Sequence, residues 1–341
     1  MEEAPTTSAD SVSTDSTSRL TLGIDVGKKD LEVSLLDEEG GLAKTSVSND
    51  PGGQESLLSW LEDRDAFSET THVCMEASGG YEEDVARFLH EEGYGVSVVN
   101  PRRIKGYADS RLRRSKTDSA DADLIARFGQ REVPRLWKPP TAAESRLREL
   151  TRARQTLKKE KTRTENRLED TEEQAVRDAY QDLLDEIEEK IDALEDEIEK
   201  HVDESSDLSE RCSLLTSIPG VALQTAAIVI SELKSPDRFE SARQAAAYAG
   251  LVPSHYQSGS SVRGDPRMSK VGNARLRSAM YFPAMTALRC NSAIKAFGDR
   301  LKERGKEKMV VLGAAMRKLL HICYGVLKSG RLFDASLHPG T

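Results

Sequence analysis

The chain has 341 residues, more than one small hydrophobic core requires, so we expect two or three folded units. Hydrophobic residues make up 37% and charged residues 31%, which is polar for a globular protein but excludes disorder throughout. No uninterrupted apolar run reaches the roughly 20 residues that span a bilayer, and no secretion leader is recognisable, so we expect a cytoplasmic protein. The four scattered cysteines argue against a disulfide framework and against a cysteine metal site.

The net charge of −9 is distributed unevenly along the chain. Lys and Arg exceed Asp and Glu by six in residues 101–117, by six in 146–168 and by four in 262–277. Residues 169–210, in contrast, carry a net charge of −16. The basic stretches suit phosphate, and we expect the acidic block to lie elsewhere. The acidic excess also leads to the hypothesis that the protein is adapted to high intracellular salt.

The first part of the chain predicts an α/β domain. Residues 1–18 are rich in Ser, Thr and Asp and predict a disordered tail. Hydrophobic patterning then predicts three meandering strands followed by helix, strand, helix, strand and helix. The expected strands are 19–26, 31–36, 42–47, 72–77 and 94–100, and the first two helices are 53–64 and 81–92. This order favours a ribonuclease-H-like fold over a plain Rossmann alternation.

Two long helical stretches are predicted after Pro139 and Pro140. In the second stretch, apolar residues recur at alternating spacings of three and four, as in a coiled-coil seam. These residues are Leu184, Ile187, Ile191, Leu194 and Ile198. We expect an antiparallel or intermolecular coiled coil that serves to form a homo-oligomer. The alternative is a helical pair packed on its own domain.

The last part of the chain predicts a mainly helical domain. Residues 214–233 resemble a helix-hairpin-helix, whose turn at Gly220 would present backbone N–H groups to phosphate, although Ala222 replaces the usual second glycine. Helices are expected at 244–251 and 309–327, with a polar loop at 253–266. The predicted organisation is a tail (1–18), an α/β domain (19–138), a coiled coil (139–208) and a C-terminal domain (209–335).

Four acidic residues are predicted to converge. Asp25 follows the first strand and Glu76 ends the fourth, and these strands are central neighbours in a ribonuclease-H-like sheet. Asp118 and Asp121 are three residues apart on a predicted helix and therefore share a face. Converging carboxylates suit Mg²⁺ or Mn²⁺, and two such ions can clamp a phosphodiester. Coincidence is the alternative for any single acid in a chain with 58 of them, and Asp123 should point away.

The polar loop combines hydroxyls, glycines and cations. Ser258, Ser260 and Ser261 are candidate nucleophiles, because a serine hydroxyl among cations can attack phosphorus. A flexible loop that only binds DNA is the alternative. Basic side chains and one turn glycine are candidate nucleic-acid contacts. They are Arg102, Arg103, Lys105, Arg113, Arg114, Lys116, Gly220, Arg263, Arg267, Lys270 and Arg275.

A series of motifs resembles the transposases of insertion-sequence family one-ten, which are related to the Piv and MooV DNA invertases. The motifs, in order over residues 20–330, are GIDVGK, MEASGGYE, NPRRIKGYADS, KTDSADADLIA, SIPGV, AAYAGLVPSHYQSGSSVRG and SKVGNARLRSAMY. The resemblance implies a RuvC-like DEDD domain, a coiled coil and a C-terminal transposase domain. The family's four acids match Asp25, Glu76, Asp118 and Asp121, and its nucleophilic serine matches Ser258.

The resemblance also implies partners that the residues alone do not give. They are the DNA of the element ends and of the target, a structured non-coding guide RNA in a prokaryotic host, and further copies of the chain in a dimer or a tetramer. The expected function is Mg²⁺-dependent cleavage and exchange of DNA strands by a serine recombinase-like route. The alternatives are a Holliday-junction resolvase or nuclease that activates water with its metal, and a non-catalytic DNA-binding protein. Loss of cleavage in Ser258→Ala would favour the serine route over the nuclease.

Overall fold

The protein divides into two compact units, Met1–Pro139 and Pro140–Thr341. The structure, a computed structural model, describes residues 20–110, 118–254, 257–258, 262–263, 267–269 and 271–337. Several predictions fall outside the described residues: the tail at 1–18 and the roles of Arg113, Arg114, Lys116, Ser260, Ser261 and Lys270. The boundary between the units falls between the two prolines that the sequence marks. The finer four-part organisation stays a prediction.

The first unit is built on a five-stranded sheet in the order β3-β2-β1-β4-β5. Its strands are β1 (Leu20–Val26), β2 (Asp30–Leu36), β3 (Leu42–Ser48), β4 (Thr71–Glu76) and β5 (Gly95–Val99). The first three strands pair antiparallel as a meander, while β4 pairs parallel with β1, and β5 parallel with β4. The predicted mixed α/β sheet is confirmed, and each strand ends within one residue of its expected bounds.

Helices cover both faces of this sheet. They are α1 (Pro51–Glu62), α2 (Glu83–Glu91), α3 (Pro101–Ser110) and α4 (Asp118–Glu132). Leu57 of α1 and Leu89 of α2 are fully buried in one core with Leu22 and Ile24 of β1. The opposite face carries α4 and packs a second core around Cys74. The sheet is therefore the middle layer of three, as in the α/β class that the sequence predicts.

The second unit is mainly helical. Its helices are α5 (Ala142–Glu169), α6 (Gln174–Glu204), α7 (Ser206–Thr216), α8 (Leu223–Leu233), α9 (Ala242–Tyr248), α10 (Ala274–Ala279), α11 (Tyr281–Cys290), α12 (Ser292–Glu303) and α13 (Lys308–Ser329). In the part of the chain that the structure describes, α13 alone has the length and composition of a membrane span. Its residues Leu319, Leu320 and Cys323 are fully buried in the core of the unit. This packing is that of a central core helix.

Helices α5 and α6 form an antiparallel pair within one chain. The seam residues Leu184, Ile187, Ile191 and Ile198 of α6 are buried. Acidic residues of α6 bind basic residues of α5 along the pair. These ion pairs are Arg146–Glu197, Arg154–Glu195, Lys158–Glu195 and Lys161–Glu188. The expectation that the acidic block lies away from the basic stretches is wrong for residues 146–168, because four of their basic side chains pair with acids of α6. A coiled coil in the strict sense stays a prediction.

Candidate active site

The end of the sheet brings two of the predicted acids side by side. Strands β1 and β4 are parallel neighbours, and their pairing runs to Ile24 opposite Met75. The next residues in this register are Asp25 and Glu76. Both of these acids are half-buried, whereas Ile24 and Met75 are fully buried on the opposite face. Because side chains alternate along strands, the two carboxylates leave the sheet on the same face.

Helix α4 crosses this face in contact with the backbone of β1. A Cβ added to Gly23 would lie 2.3 Å from the carbonyl oxygen of Ala122 and 2.3 Å from the nitrogen of Ala126. A Cβ added to Gly129, further along α4, would lie 3.0 Å from Cγ2 of Thr21, two residues before Gly23 on β1, and 2.7 Å from the Cβ of Cys74 on β4. Helix α4 therefore runs in the opposite direction to β1 and β4, so its first residue lies towards the carboxyl ends of these strands. The glycines are needed because no side chain fits between helix and sheet.

This crossing aligns the start of α4 with the two strand acids. Asp118 lies four residues before Ala122, about 6 Å along a helix, and Asp25 lies two residues beyond Gly23, about 6.6 Å along a strand. The first turn of α4, which carries Asp118 and Asp121, is thus level with Asp25 and Glu76. The side chain of Asp118 lies outside the described residues.

The donor set at this place fits a hard divalent cation, because it consists of carboxylate oxygens. Among the described side chains, no three His, Cys, Asp or Glu residues are close enough together to hold a metal ion. That search does not include Asp118, one of the four predicted ligands. The four-acid site therefore stays a prediction, supported by the course of α4 over the strand ends.

Asp123 belongs to a different environment from Asp121. It is 8% exposed, and its carboxylate accepts hydrogen bonds from Ser34 Oγ and Lys44 Nζ, both at 2.7 Å. These partners lie on β2 and β3, on the far side of β1 from Glu76. Asp123 thus fastens α4 to the meander and is not a candidate ligand.

A basic helix lies next to α4, and the sequence did not predict it. Tyr107 of α3 stacks edge-on against Phe128 of α4, with ring centres 5.5 Å apart. Arg102, Arg103 and Lys105 are exposed. Two signals were present in the sequence: Pro101, which suits the first helical position, and the apolar pair Ile104 and Tyr107 three residues apart. The helix therefore presents exposed cations beside α4.

The predicted polar loop of the second unit contains short β ladders. β6 (Pro253–Ser254) pairs with β9 (Arg267–Met268), and β7 (Gln257–Ser258) pairs with β8 (Val262–Arg263). The segment predicted as a polar loop therefore contains antiparallel pairing in its described residues. Ser258 ends β7 opposite Val262. We call residues 253–268 the serine hairpin.

Packing against α11 explains the glycine in the turn between α7 and α8. Gly220 has φ +101°, and an added Cβ would lie 2.9 Å from the backbone nitrogen of Ala287 in α11. Ala222 occupies the N-cap of α8 without a side-chain hydrogen bond. Close packing of α11 therefore explains Gly220 without a ligand. Its contact with phosphate and the helix-hairpin-helix assignment stay predictions.

A buried ion pair at the base of the serine hairpin was missed by sequence reasoning. Glu232 of α8 binds Arg152 of α5, and Asn273 binds the same carboxylate. The pairing joins residues 80 positions apart, which no local pattern reveals. Asn273 alone could have been found, because an Asn after glycine and before a helical run is a typical N-cap.

Comparison with known proteins identifies relatives over nearly the whole chain. A DEDD transposase family of the IS110 type matches residues 22–175, and the family described as transposase IS116/IS110/IS902 matches residues 212–299. The pilin gene-inverting proteins of Moraxella bovis and Moraxella lacunata are 32% identical over 322 residues, covering 94% of this chain and 99% of each relative. A transposase for insertion sequence element IS1111A from Coxiella burnetii is 25% identical over 300 residues, 79% of this chain and 78% of that protein.

Proposed function

From the premise that the chain belongs to the IS116/IS110/IS902 family of transposases, which cleave and recombine DNA, we propose that it exchanges DNA strands with two sets of residues. The first set is the four acids of the RuvC-like unit, and the second is the serine hairpin. The observation that carries the proposal is the course of α4. Its first turn, with Asp118 and Asp121, starts level with Asp25 and Glu76.

The four carboxylates would hold Mg²⁺ or Mn²⁺. Four carboxylates brought together would repel one another, and a divalent cation would relieve that repulsion. Such an ion supplies charge stabilisation to the phosphate oxygens and orients the scissile bond. The protein's own contribution is rigidity. Asp25 and Glu76 lie on neighbouring strands that each pair with a strand on both sides, and Asp123 anchors α4 to Ser34 and Lys44.

Ser258 is the proposed nucleophile of the second set. Its Oγ would form a bond to phosphorus while the bond from phosphorus to one deoxyribose oxygen breaks, and the serine proton would pass to that oxygen. The covalent phosphoserine conserves the energy of the broken phosphodiester bond. Attack on this phosphoserine by the hydroxyl of another strand reverses the step. Ser260 and Ser261, which lie outside the described residues, are the alternatives.

Cations of both units are proposed to bind nucleic acid. Arg263, Arg267 and Lys270 would stabilise charge at the reacting phosphate, and Arg275, exposed at the start of α10, would hold the DNA backbone. Exposed residues of α3 would do the same in the first unit. A guide RNA and a homo-oligomer complete the proposal, and both are supported by the resemblance alone, because the apolar seam of α6 is buried against α5 within the chain.

A strand-transfer assay tests the proposal. Purified protein is mixed with RNA transcribed from its locus, Mg²⁺ and a labelled junction of the element ends. We expect a covalent protein–DNA adduct that is absent in Ser258→Ala, in Asp118→Ala and after chelation of the metal. Omission of the RNA should lower the yield of recombined product if the protein is guided. Thr286→Ala, an exposed change on α11, is the control that should keep activity.

The alternatives predict other products. Cleaved ends without an adduct, still formed by Ser258→Ala, would establish the metal-and-water nuclease and overturn the serine route. An adduct lost only in Ser260→Ala or Ser261→Ala would move the nucleophile within the hairpin. DNA binding without cleavage, together with equal Mg²⁺ binding by wild type and Asp25→Ala in calorimetry, would establish a non-catalytic DNA-binding protein.

A further inference from the structure

Glu232 of α8 is a buried carboxylate that the proposed mechanism does not use. Its side chain is 2% exposed. Removing such a charge from water costs several kcal/mol unless its oxygens are paired. Arg152 pairs both oxygens, from Nε to Oε1 at 2.7 Å and from Nη2 to Oε2 at 3.1 Å, and Asn273 Nδ2 donates to Oε2 at 2.7 Å.

The carboxylate of Glu232 is held in its charged form. Burial by itself raises the pKa of Glu232, but the hydrogen bonds from Arg152 and Asn273 and the charges of Arg152 and Arg275 outweigh burial and lower the pKa. Glu232 therefore accepts hydrogen bonds at neutral pH and donates none. Both of its neighbours are donors, so the site is fully complementary.

Asn273 connects Glu232 to both ends of the serine hairpin. Its Nδ2 also donates to Tyr248 Oη at 3.2 Å, and its backbone nitrogen donates to the carbonyl oxygen of Tyr248 at 2.6 Å. Its Oδ1 accepts from the backbone nitrogen of Leu276 at 3.0 Å and caps α10. Tyr248 ends α9 five residues before β6, and Asn273 lies five residues after β9. One side chain thus ties the two ends together.

The serine hairpin depends on these ends for its orientation. Its described pairing consists of two ladders of two residue pairs each, and a hairpin that small is marginal by itself. Gly272 has φ +140°, and a Cβ there would lie 2.3 Å from the carbonyl oxygen of Tyr248, so the closure is tight. A packed apolar pair could replace a buried ion pair without loss of stability. Stability alone therefore does not account for the charge.

We propose that Glu232 is a positioning residue for the serine hairpin. Its carboxylate fixes Asn273, Asn273 fixes Tyr248 and the start of α10, and the strand that ends in Ser258 is held in one orientation. The inference rests on the proposed role of Ser258 as nucleophile. Glu232 itself contacts neither DNA nor the reacting atoms.

The Glu232→Gln variant of the full chain tests the proposal. Gln keeps the size of the side chain but directs an N–H group at a donor, either Arg152 or Asn273. We expect the rate of adduct formation at saturating DNA to fall about tenfold or more, since small misplacements of a reacting group have such effects. The DNA concentration for half-maximal rate should change less than about threefold. The mismatched amide at a buried site should lower the melting temperature, so the rates are compared at a temperature at which the variant is fully folded.

A compensating substitution separates positioning from simple destabilisation. In Glu232→Gln with Asn273→Asp, the Gln amide again faces an acceptor, and Asp caps a helix as well as Asn does. We expect the adduct rate to return to within about threefold of wild type, at an unchanged melting temperature. The matched control is Glu195→Gln. Glu195 lies on α6 and accepts a hydrogen bond at 2.7 Å from Arg154, which is on α5 like Arg152. This control should keep the wild-type rate.

Amide hydrogen exchange of residues 253–268 supplies a readout that needs no serine chemistry. Exchange there should become faster in Glu232→Gln and recover in the double variant. An unchanged rate and unchanged exchange in Glu232→Gln would overturn the inference. If Ser258→Ala still forms the adduct, the proposed nucleophile is wrong, while the exchange result still decides on positioning. If Glu232→Gln does not fold, Asn273→Ser is measured in the same way, because Ser can cap α10 but cannot reach Glu232. An unchanged adduct rate and unchanged exchange in Asn273→Ser would then refute the proposal.

Discussion

Two aspartates of α4, separated by one residue, differ in what surrounds them. Asp123 is buried and bonded to Ser34 and Lys44, whereas Asp121 is half-exposed in the turn that starts level with Asp25. We expect Asp123→Ala to lower the free energy of unfolding of the first unit by about 2 kcal/mol, because its two donors lose their acceptor. Asp121→Ala should change that free energy by only about 0.5 kcal/mol and abolish Mg²⁺-dependent cleavage.

Urea unfolding and the strand-transfer assay, run on both variants, check this contrast. Asn substitutions serve as the gentler pair, because Asn keeps the size and one acceptor oxygen. Asp123→Asn should retain cleavage at a temperature where it is folded, and Asp121→Asn should not. Loss of cleavage in fully folded Asp123→Asn would show that Asp123 is a ligand and that the assignment from the sheet register is wrong.

At the scale of elements, α3 is the surface of the first unit most suited to nucleic acid. Arg102 and Lys105 are exposed, while Ile104 between them is buried and keeps the helix in place. Replacing both cations with Gln should weaken DNA binding and reduce the slope of log affinity against log salt by up to roughly 2, since each phosphate contact contributes about 0.9. Fluorescence anisotropy at several salt concentrations gives this slope.

The control for α3 has the same change in charge. Arg304 and Lys306 are exposed after α12, and their replacement by Gln also removes two positive charges. We expect the slope of this double variant to stay close to that of wild type. Equal slopes for the two variants would mean that only net charge matters, and the assignment of α3 to DNA would fail.

Elements with local patterns were predictable from the sequence, and contacts between distant residues were not. Hydrophobic patterning predicted the five strands, and the predicted order of the strands placed Asp25 beside Glu76. The basic run of residues 101–117 concealed α3, because charge dominated a segment whose large apolar residues are few: Ile104, Tyr107 and Leu112. The link from Arg152 to Glu232 and the pairing of α5 with α6 depend on tertiary packing, which no single segment encodes.

At the scale of the whole molecule, most of the negative charge lies on one helical pair. Helix α5 has nine basic and five acidic residues and α6 has three basic and thirteen acidic ones, so the pair carries −6 of the chain's −9. Ion pairs between the helices become stronger at low salt, but the acids of α6 outnumber the available cations. Repulsion should therefore dominate when screening is weak.

This imbalance predicts that the protein is stabilised by salt. The Debye length is about 30 Å at 0.01 M and 3 Å at 1 M, while α6, with 31 residues, is about 46 Å long. We expect a lower melting temperature and less helical circular dichroism in 0.01 M KCl than in 1 M KCl. A variant with Asp196→Asn, Glu199→Gln and Asp203→Asn, which neutralises exposed acids of α6, should lose much of this difference. Equal melting of the wild type at both concentrations would show that the ion pairs with α5 compensate the excess, and the hypothesis of adaptation to high salt would be wrong.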